Sequence, residues 1–148
     1  MGEHVYEVEV TWSGETTGYR SYSRDHEVLA AGRPPIPATS DPKFRGSKER
    51  WNPEQLLVGA LSDCHMLWYL HLCAEAGVVV TGYHDTAVGV MDDERFQRVT
   101  LRPRVTVTDP EMIEPALGLH EEAHKKCFIA NSVNFPVGHE PTVVANPA

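Results

Sequence analysis

At 148 residues the chain is long enough to bury a core and too short for two ordinary domains, so a single domain over 1–148 is expected. Its 41% hydrophobic and 23% charged residues exclude a disordered or fibrous protein. The formal net charge of −8 argues against a general binder of nucleic acid or anionic membrane, since either needs a basic surface.

The N-terminal MGEHVYEVEV goes directly into alternation, with no apolar signal region, and no apolar run reads as a membrane span. VYEVEVTW (5–12) alternates at period two and predicts a half-buried strand ended by SGETTG. YRSYSRDHEVLAAG (19–32) predicts one or two strands around a turn near Arg24-Asp25. The Pro-rich segment 33–51 reads as a long ordered loop, of the kind that often carries function. It holds five of the thirteen Lys and Arg residues (Arg33, Lys43, Arg45, Lys48 and Arg50), a local positive patch.

NPEQLLVGALSDCHMLWYLHLCAEAG (52–77) predicts the main helix. Asn52 is a good N-cap, Pro53 sits at N1, Gln55 at N3 completes a capping-box pattern, and Gly77 is a natural stop. The residues between are apolar almost all round, which predicts a central helix buried on every side. It reads as too short for a membrane span, and too polar at Asp63, His65 and His71.

VVVTGYHDTAVGVM (78–91) and FQRVTLRPRVTVT (96–108) are β-rich runs joined by a DDER hairpin, with Pro103 suggesting an edge position or a bulge. Asp109-Pro110 starts a short turn, and a helix is expected from about Pro115 to Lys126. A Pro/Asn/Gly loop and a short strand at TVV close the chain. This order of elements predicts an α+β fold with an antiparallel sheet.

Three cysteines, an odd number, do not make an extracellular disulfide framework. Cytoplasmic thiols are expected, among which a disulfide would be transient and redox-active. Cys64, in mid-helix, reads as a core thiol unless a cation comes to it, and the loop at 33–51 is a source of one. Cys73 lies nine positions on, half a turn away, so it cannot pair with Cys64 without unwinding the helix. Cys127 follows a helix C-terminus, whose partial negative charge suits a resolving thiol better than a nucleophile. Glu54 stands ten residues before Cys64, about 15 Å along one helix. It either favours the helix N-terminus or reaches a site from another chain or through an arginine.

His120-Glu121-Glu122-Ala123-His124 has the H-E-x-x-H spacing of a zinc hydrolase, with two histidines on one helix face and Glu121 as base. No HxxGxxH follows it, and the stretch also explains itself as a polar helix face ending in Lys125-Lys126.

NPEQLLVGALSDCHMLWYLHLCAEAGV resembles the central helix of the OsmC/Ohr family, the osmotically induced and organic-hydroperoxide-resistance proteins. Asn52, Pro53, Glu54, Gln55, Leu56 and Cys64 match the family pattern, and Cys127 in AHKKCFIANSVN stands in the place of its second cysteine. The loop departs from Ohr-type members and lies closer to another branch.

The resemblance implies an OsmC-like α+β fold in an intertwined homodimer. It implies a thiol peroxidase acting on organic hydroperoxides or hydrogen peroxide through a Cys64 sulfenate and a Cys64–Cys127 disulfide. An external dithiol, of lipoyl type, would reduce the disulfide, and no bound cofactor is expected. Glu54 matches the family's glutamate. The activating arginine is Arg45 by spacing, with Arg20 second and Arg50, read as a solvated charge, third. Beside the peroxidase stand a non-catalytic binding or sensing dimer of the same fold and, third, the zinc hydrolase.

Overall fold

In the computed structural model, which describes residues 2–146, the N-terminal alternation yields less strand than its pattern suggests. The chain divides into two compact units, one ending at Leu56 and the other starting at Leu57.

The N-terminal unit is an antiparallel sheet of β1 (Glu9–Thr11), β2 (His26–Leu29) and β3 (Ile36–Ala38), in that order. Only three residues of the expected first strand pair, and they are exposed, with Val5, Tyr6 and Val8 before them also bare. The expected half-burial is absent within this unit. The segment read as a loop contains β3 and a 3-10 turn at Pro42–Phe44, N-capped by Asp41. Arg50 ties these pieces together. Its Nη1 donates to the carbonyls of His26 (2.7 Å) and Ala38 (3.3 Å) and to Glu27 Oε2 (3.2 Å). Its Nε lies 3.6 Å from Asp25.

Helix α1 (Pro53–Glu75) has the expected ends. Gln55 N–H donates to Asn52 Oδ1 (2.9 Å) and Asn52 N–H to Gln55 Oε1 (3.1 Å), a closed capping box. At the other end Gly77 takes φ +74°, and Val78 N–H reaches back to the Cys73 carbonyl at 2.9 Å. This is a Schellman stop, open to glycine at little cost. Leu61, His65, Tyr69 and Cys73, four apart, form its buried stripe. Burial on every side is not found in the single chain, since Leu67 is 58% exposed. The helix is also long and apolar enough to cross a bilayer, contrary to the sequence estimate. Its packed stripe is that of a core helix.

The second unit adds β4 (Val80–Asp85), β5 (Val88–Met91), β6 (Phe96–Leu101), β7 (Pro103–Val107), α2 (Ile113–Lys126), β8 (Val137–His139) and β9 (Thr142–Ala145). The sheets have orders β4-β7-β9 and β5-β6-β8. They are mixed rather than antiparallel: β4/β7 and β5/β6 are antiparallel, whereas β7/β9 and β6/β8 are parallel. Parallel pairing needs a long crossover, and α2 with its flanking segments supplies it. Asp92 Oδ1 accepts from the Glu94 and Arg95 amides and forms the expected hairpin turn. Pro103 sits neither at a sheet edge nor at a bulge. It opens the central strand β7, a first position where proline is tolerated. α2 starts two residues before Pro115, leaving the proline in the first turn, where no N–H partner is needed. One core cluster centres on Tyr69, Cys73, Val105, Val107, Ala116 and Ala123, and a second on Leu61, Val99 and Leu101.

Candidate active site

Where α1 meets α2, partners run in opposite senses: His65 meets His120, and Tyr69 Oη donates to the Ala116 carbonyl at 2.8 Å. One layer on, the Cys64 and Cys127 thiols are neighbours. Cys127 is buried and Cys64 half-buried. Cys127 is the C-cap of α2 and leaves helical geometry with ψ 112°. Its carbonyl accepts from Asn131 N–H (3.0 Å), and Ser132 Oγ donates to the Phe128 carbonyl (2.8 Å), closing a 3-10 turn at Ala130–Ser132.

That turn brings Phe128 and Ile129 to a cleft of about 300 Å³ lined also by Ala60, Asp63, Cys64, Leu67 and Trp68. The cleft wall is apolar and aromatic, and Asp63 is its one charged residue among the described ones. Burial pushes the Cys127 thiol well above its ordinary value, and the neighbouring Cys64 thiol pushes it the same way. The backbone N–H groups of Ala130 (3.4 Å) and Ile129 offset part of this. In the resting arrangement Cys127 is therefore a protonated thiol. Cys73 lies apart in the core beside Tyr69, its thiol raised by burial.

The other expected site residues belong to the N-terminal unit. Arg45 is exposed and takes φ +71° as the C-cap of the 3-10 turn. Arg20 is exposed, and Glu54 is half-buried in the first turn of α1. Arg50 is not the solvated charge expected of it, because its guanidinium is committed to β2 and β3.

The H-E-x-x-H stretch is not a polar face throughout. His120 is 0% exposed and turned to His65, whereas Glu121 is exposed, 3.5 Å from His139 Nε2. Among the described residues no three His, Cys, Asp or Glu side chains are placed to hold a metal ion. The buried histidine pair is the feature sequence reasoning missed. Its signal was the spacing of Ala116, His120, Ala123 and Cys127, one stripe of a helix.

The family model described as OsmC-like protein matches residues 46–141. The chain belongs to the OsmC-like family. Glu54, Cys64 and Cys127 fall inside the matched segment, and Arg45 immediately precedes it. Among solved OsmC-like structures, one from Vibrio cholerae O1 biovar eltor, described as of unknown function, is 32% identical, with TM-score 0.83 over 95% of this chain and 99% of that one. An organic hydroperoxide resistance protein from Elizabethkingia anophelis shares the fold at 20% identity and TM-score 0.65, over 97% and 99% of the two chains. One from Legionella pneumophila does so at 16% identity and TM-score 0.64, over 95% and 98%. A search of curated protein sequences gave no match.

Proposed function

We propose that this OsmC-like protein is a cysteine peroxidase that reduces organic hydroperoxides in the cytoplasm. The observation that carries the reading is the neighbouring Cys64–Cys127 pair beside an apolar cleft. Cys64 thiolate attacks the terminal peroxide oxygen, the O–O bond breaks, and the alkoxide leaves and takes up a proton, giving a sulfenic acid and an alcohol. Cys127 sulfur then attacks the sulfenic sulfur, the S–O bond breaks, and water departs with the thiol proton. An external dithiol reduces the disulfide and is itself oxidised to a disulfide.

The arginine that this reading requires for Cys64 is Arg45 by its spacing, with Arg20 the alternative and Glu54 the acid matched to it. A second copy of the chain covers the bare apolar side of α1, where Leu67 and Phe128 are 58% and 67% exposed. One observation favours a non-catalytic dimer instead: among the described residues the charged group lining the cleft with Cys64 is an acid, Asp63, and not an arginine.

The test is intact mass under non-reducing conditions after one equivalent of cumene hydroperoxide, with peptide mapping. A fast intramolecular Cys64–Cys127 disulfide supports the peroxidase. Untouched thiols in folded protein overturn it and favour the binding or sensing dimer.

A further inference from the structure

Next to the thiols the interior holds two imidazoles where an apolar pair would cost less. His65 and His120 are 1% and 0% exposed, and their rings are parallel to within 2°. His65 Nε2 and His120 Nδ1 lie 3.0 Å apart, so one ring donates, the other accepts, and a single N–H···N bond joins α1 to α2. Among the described residues His120 Nε2 has no partner, an omission that costs about 1–3 kcal/mol in a buried site. Two leucines would fill this layer without that penalty. They would not supply direction: an apolar contact tolerates sliding of one helix on the other, and a hydrogen bond of fixed length and angle does not.

The position of the pair gives this rigidity a use. Along α1 His65 directly follows Cys64, and along α2 His120 lies on the buried stripe that ends at Cys127. The Tyr69–Ala116 bond ties the helices on one side of the histidines, and the thiol pair lies on the other. We propose that His65 and His120 are positioning residues for disulfide formation, their bond holding α2 in register so that Cys127 stays seated against Cys64. The inference rests on the peroxidase reading, in which Cys127 sulfur must approach the sulfenic sulfur in line with the departing oxygen. A misplacement of about 1 Å at such a step costs on the order of a hundredfold in rate.

The groups facing the pair are Tyr69 of α1, stacked 3.9 Å from His120, and His139 of β8, 5.8 and 6.3 Å from the two rings. Beyond them stand His124 and Glu121 of α2 and Asp85 of β4, the last bonded to Ser62. None of these takes the place of the N–H···N bond. Acid that protonates both rings sets donor against donor and breaks it.

The experiment follows the two chemical steps separately in the full chain by quenched mass spectrometry after one equivalent of cumene hydroperoxide. His120→Leu removes the bond, and His120→Asn offers an amide atom where Nδ1 stands. Sulfenate formation on Cys64 is expected to change less than twofold in both variants. Disulfide formation is expected to slow at least tenfold in His120→Leu and less than threefold in His120→Asn. An unchanged disulfide rate in folded His120→Leu overturns the proposal, and so does equal slowing in both variants.

The equilibrium of the dithiol with glutathione reads the same geometry without peroxide. His120→Leu should lower the effective thiol concentration tenfold, a rise of about 30 mV in reduction potential. If the parent forms no sulfenate and this shift appears, the peroxidase reading fails and the positioning role stands. If the shift is absent, the positioning role fails whatever the peroxide does. Should His120→Leu not fold, His65→Gln, which keeps an amide atom near Nε2, and the shorter His65→Asn make the same comparison.

Discussion

The Trp68 and Phe128 rings meet edge to face, with centroids 5.5 Å apart and planes at 75°, one from α1 and one from the segment after α2. They form the aromatic side of the cleft that Cys64 opens into, and Lys126 Nζ lies 5.6 Å from the Trp68 ring. An edge-to-face pair contributes about 0.5–1.5 kcal/mol beyond the area it buries. Phe128→Ala removes that contact and one wall of the cleft. For a bulky aromatic hydroperoxide kcat/KM should fall about 3–10-fold, whereas for hydrogen peroxide, too small to use the wall, it should change less than twofold. Steady-state rates with cumene hydroperoxide and hydrogen peroxide, side by side, check this. Equal losses on both substrates would mean that Phe128 shapes the thiol pair rather than the substrate's side of the cleft.

The α1 cap makes a prediction independent of function. Asn52 is 8% exposed and closes a reciprocal pair of bonds with Gln55. Asn52→Ala removes the side-chain acceptor for the Gln55 amide and leaves Gln55 Oε1 able to accept. The expected loss is about 1 kcal/mol, which for a chain of this size lowers Tm by roughly 2–4 °C. Thermal unfolding by circular dichroism reads it, and Asn52→Asp, which keeps the acceptor, should lie within about 1 °C of the parent.

What was readable in the sequence follows the range of the interactions. The Asn52–Gln55 box and the Gly77 stop were visible because each is settled within four or five residues. The Asp92 turn was visible for the same reason. β8 was missed because its partner is β6, some 38 positions earlier, and three residues of VGH carry no periodic signal alone. Arg50 was misread because its partners at His26, Glu27 and Ala38 come from strands whose pairing local pattern does not reveal. His120 was misread because its charged neighbours Glu121, Glu122 and Lys125 suggested a solvated face, while its own spacing placed it on the inner one. The meeting of Cys64 with Cys127 was not derivable from spacing across 63 residues and rested on the family resemblance.

Gly46 tests the loop that holds Arg45. A Cβ built on Gly46 would collide with the backbone carbonyl of Ser40, and backbone cannot swing aside as a flexible side chain can. The Gly46 amide also donates to the Asp41 carbonyl at 3.1 Å, closing the turn behind Pro42–Phe44. Gly46→Ala must open that turn, with an expected cost of about 2 kcal/mol or more. Gly32→Ala, where the added atom meets open space and only φ +76° resists, should cost about 1 kcal/mol. A urea midpoint for Gly46→Ala at or above that of Gly32→Ala would contradict the close packing of Ser40 on Gly46.

Stability should fall in mild acid, and the buried histidines give the sign. Burial, joined by repulsion from His139, lowers His65 from 6.5 to about 4, and burial with His65 beside it lowers His120 from 6.5 to about 3. Asp85 opposes the shift at His65 only in part. Below pH 6.5 the unfolded chain therefore binds protons that the folded chain refuses, so the unfolded state gains as pH falls. The contribution is fully present above about pH 6.5 and is lost progressively toward pH 4, by up to about 1.4 kcal/mol per pH unit for each histidine. Urea midpoints at pH 7.5, 6.5, 5.5 and 4.5 should be flat over the first interval and then decline. A His65→Leu, His120→Leu double variant has no imidazole in this layer and should hold its midpoint down to about pH 5, where carboxylates begin to titrate. Parallel declines in parent and double variant would move the acid sensitivity to other groups, with the partly buried His139 first among them.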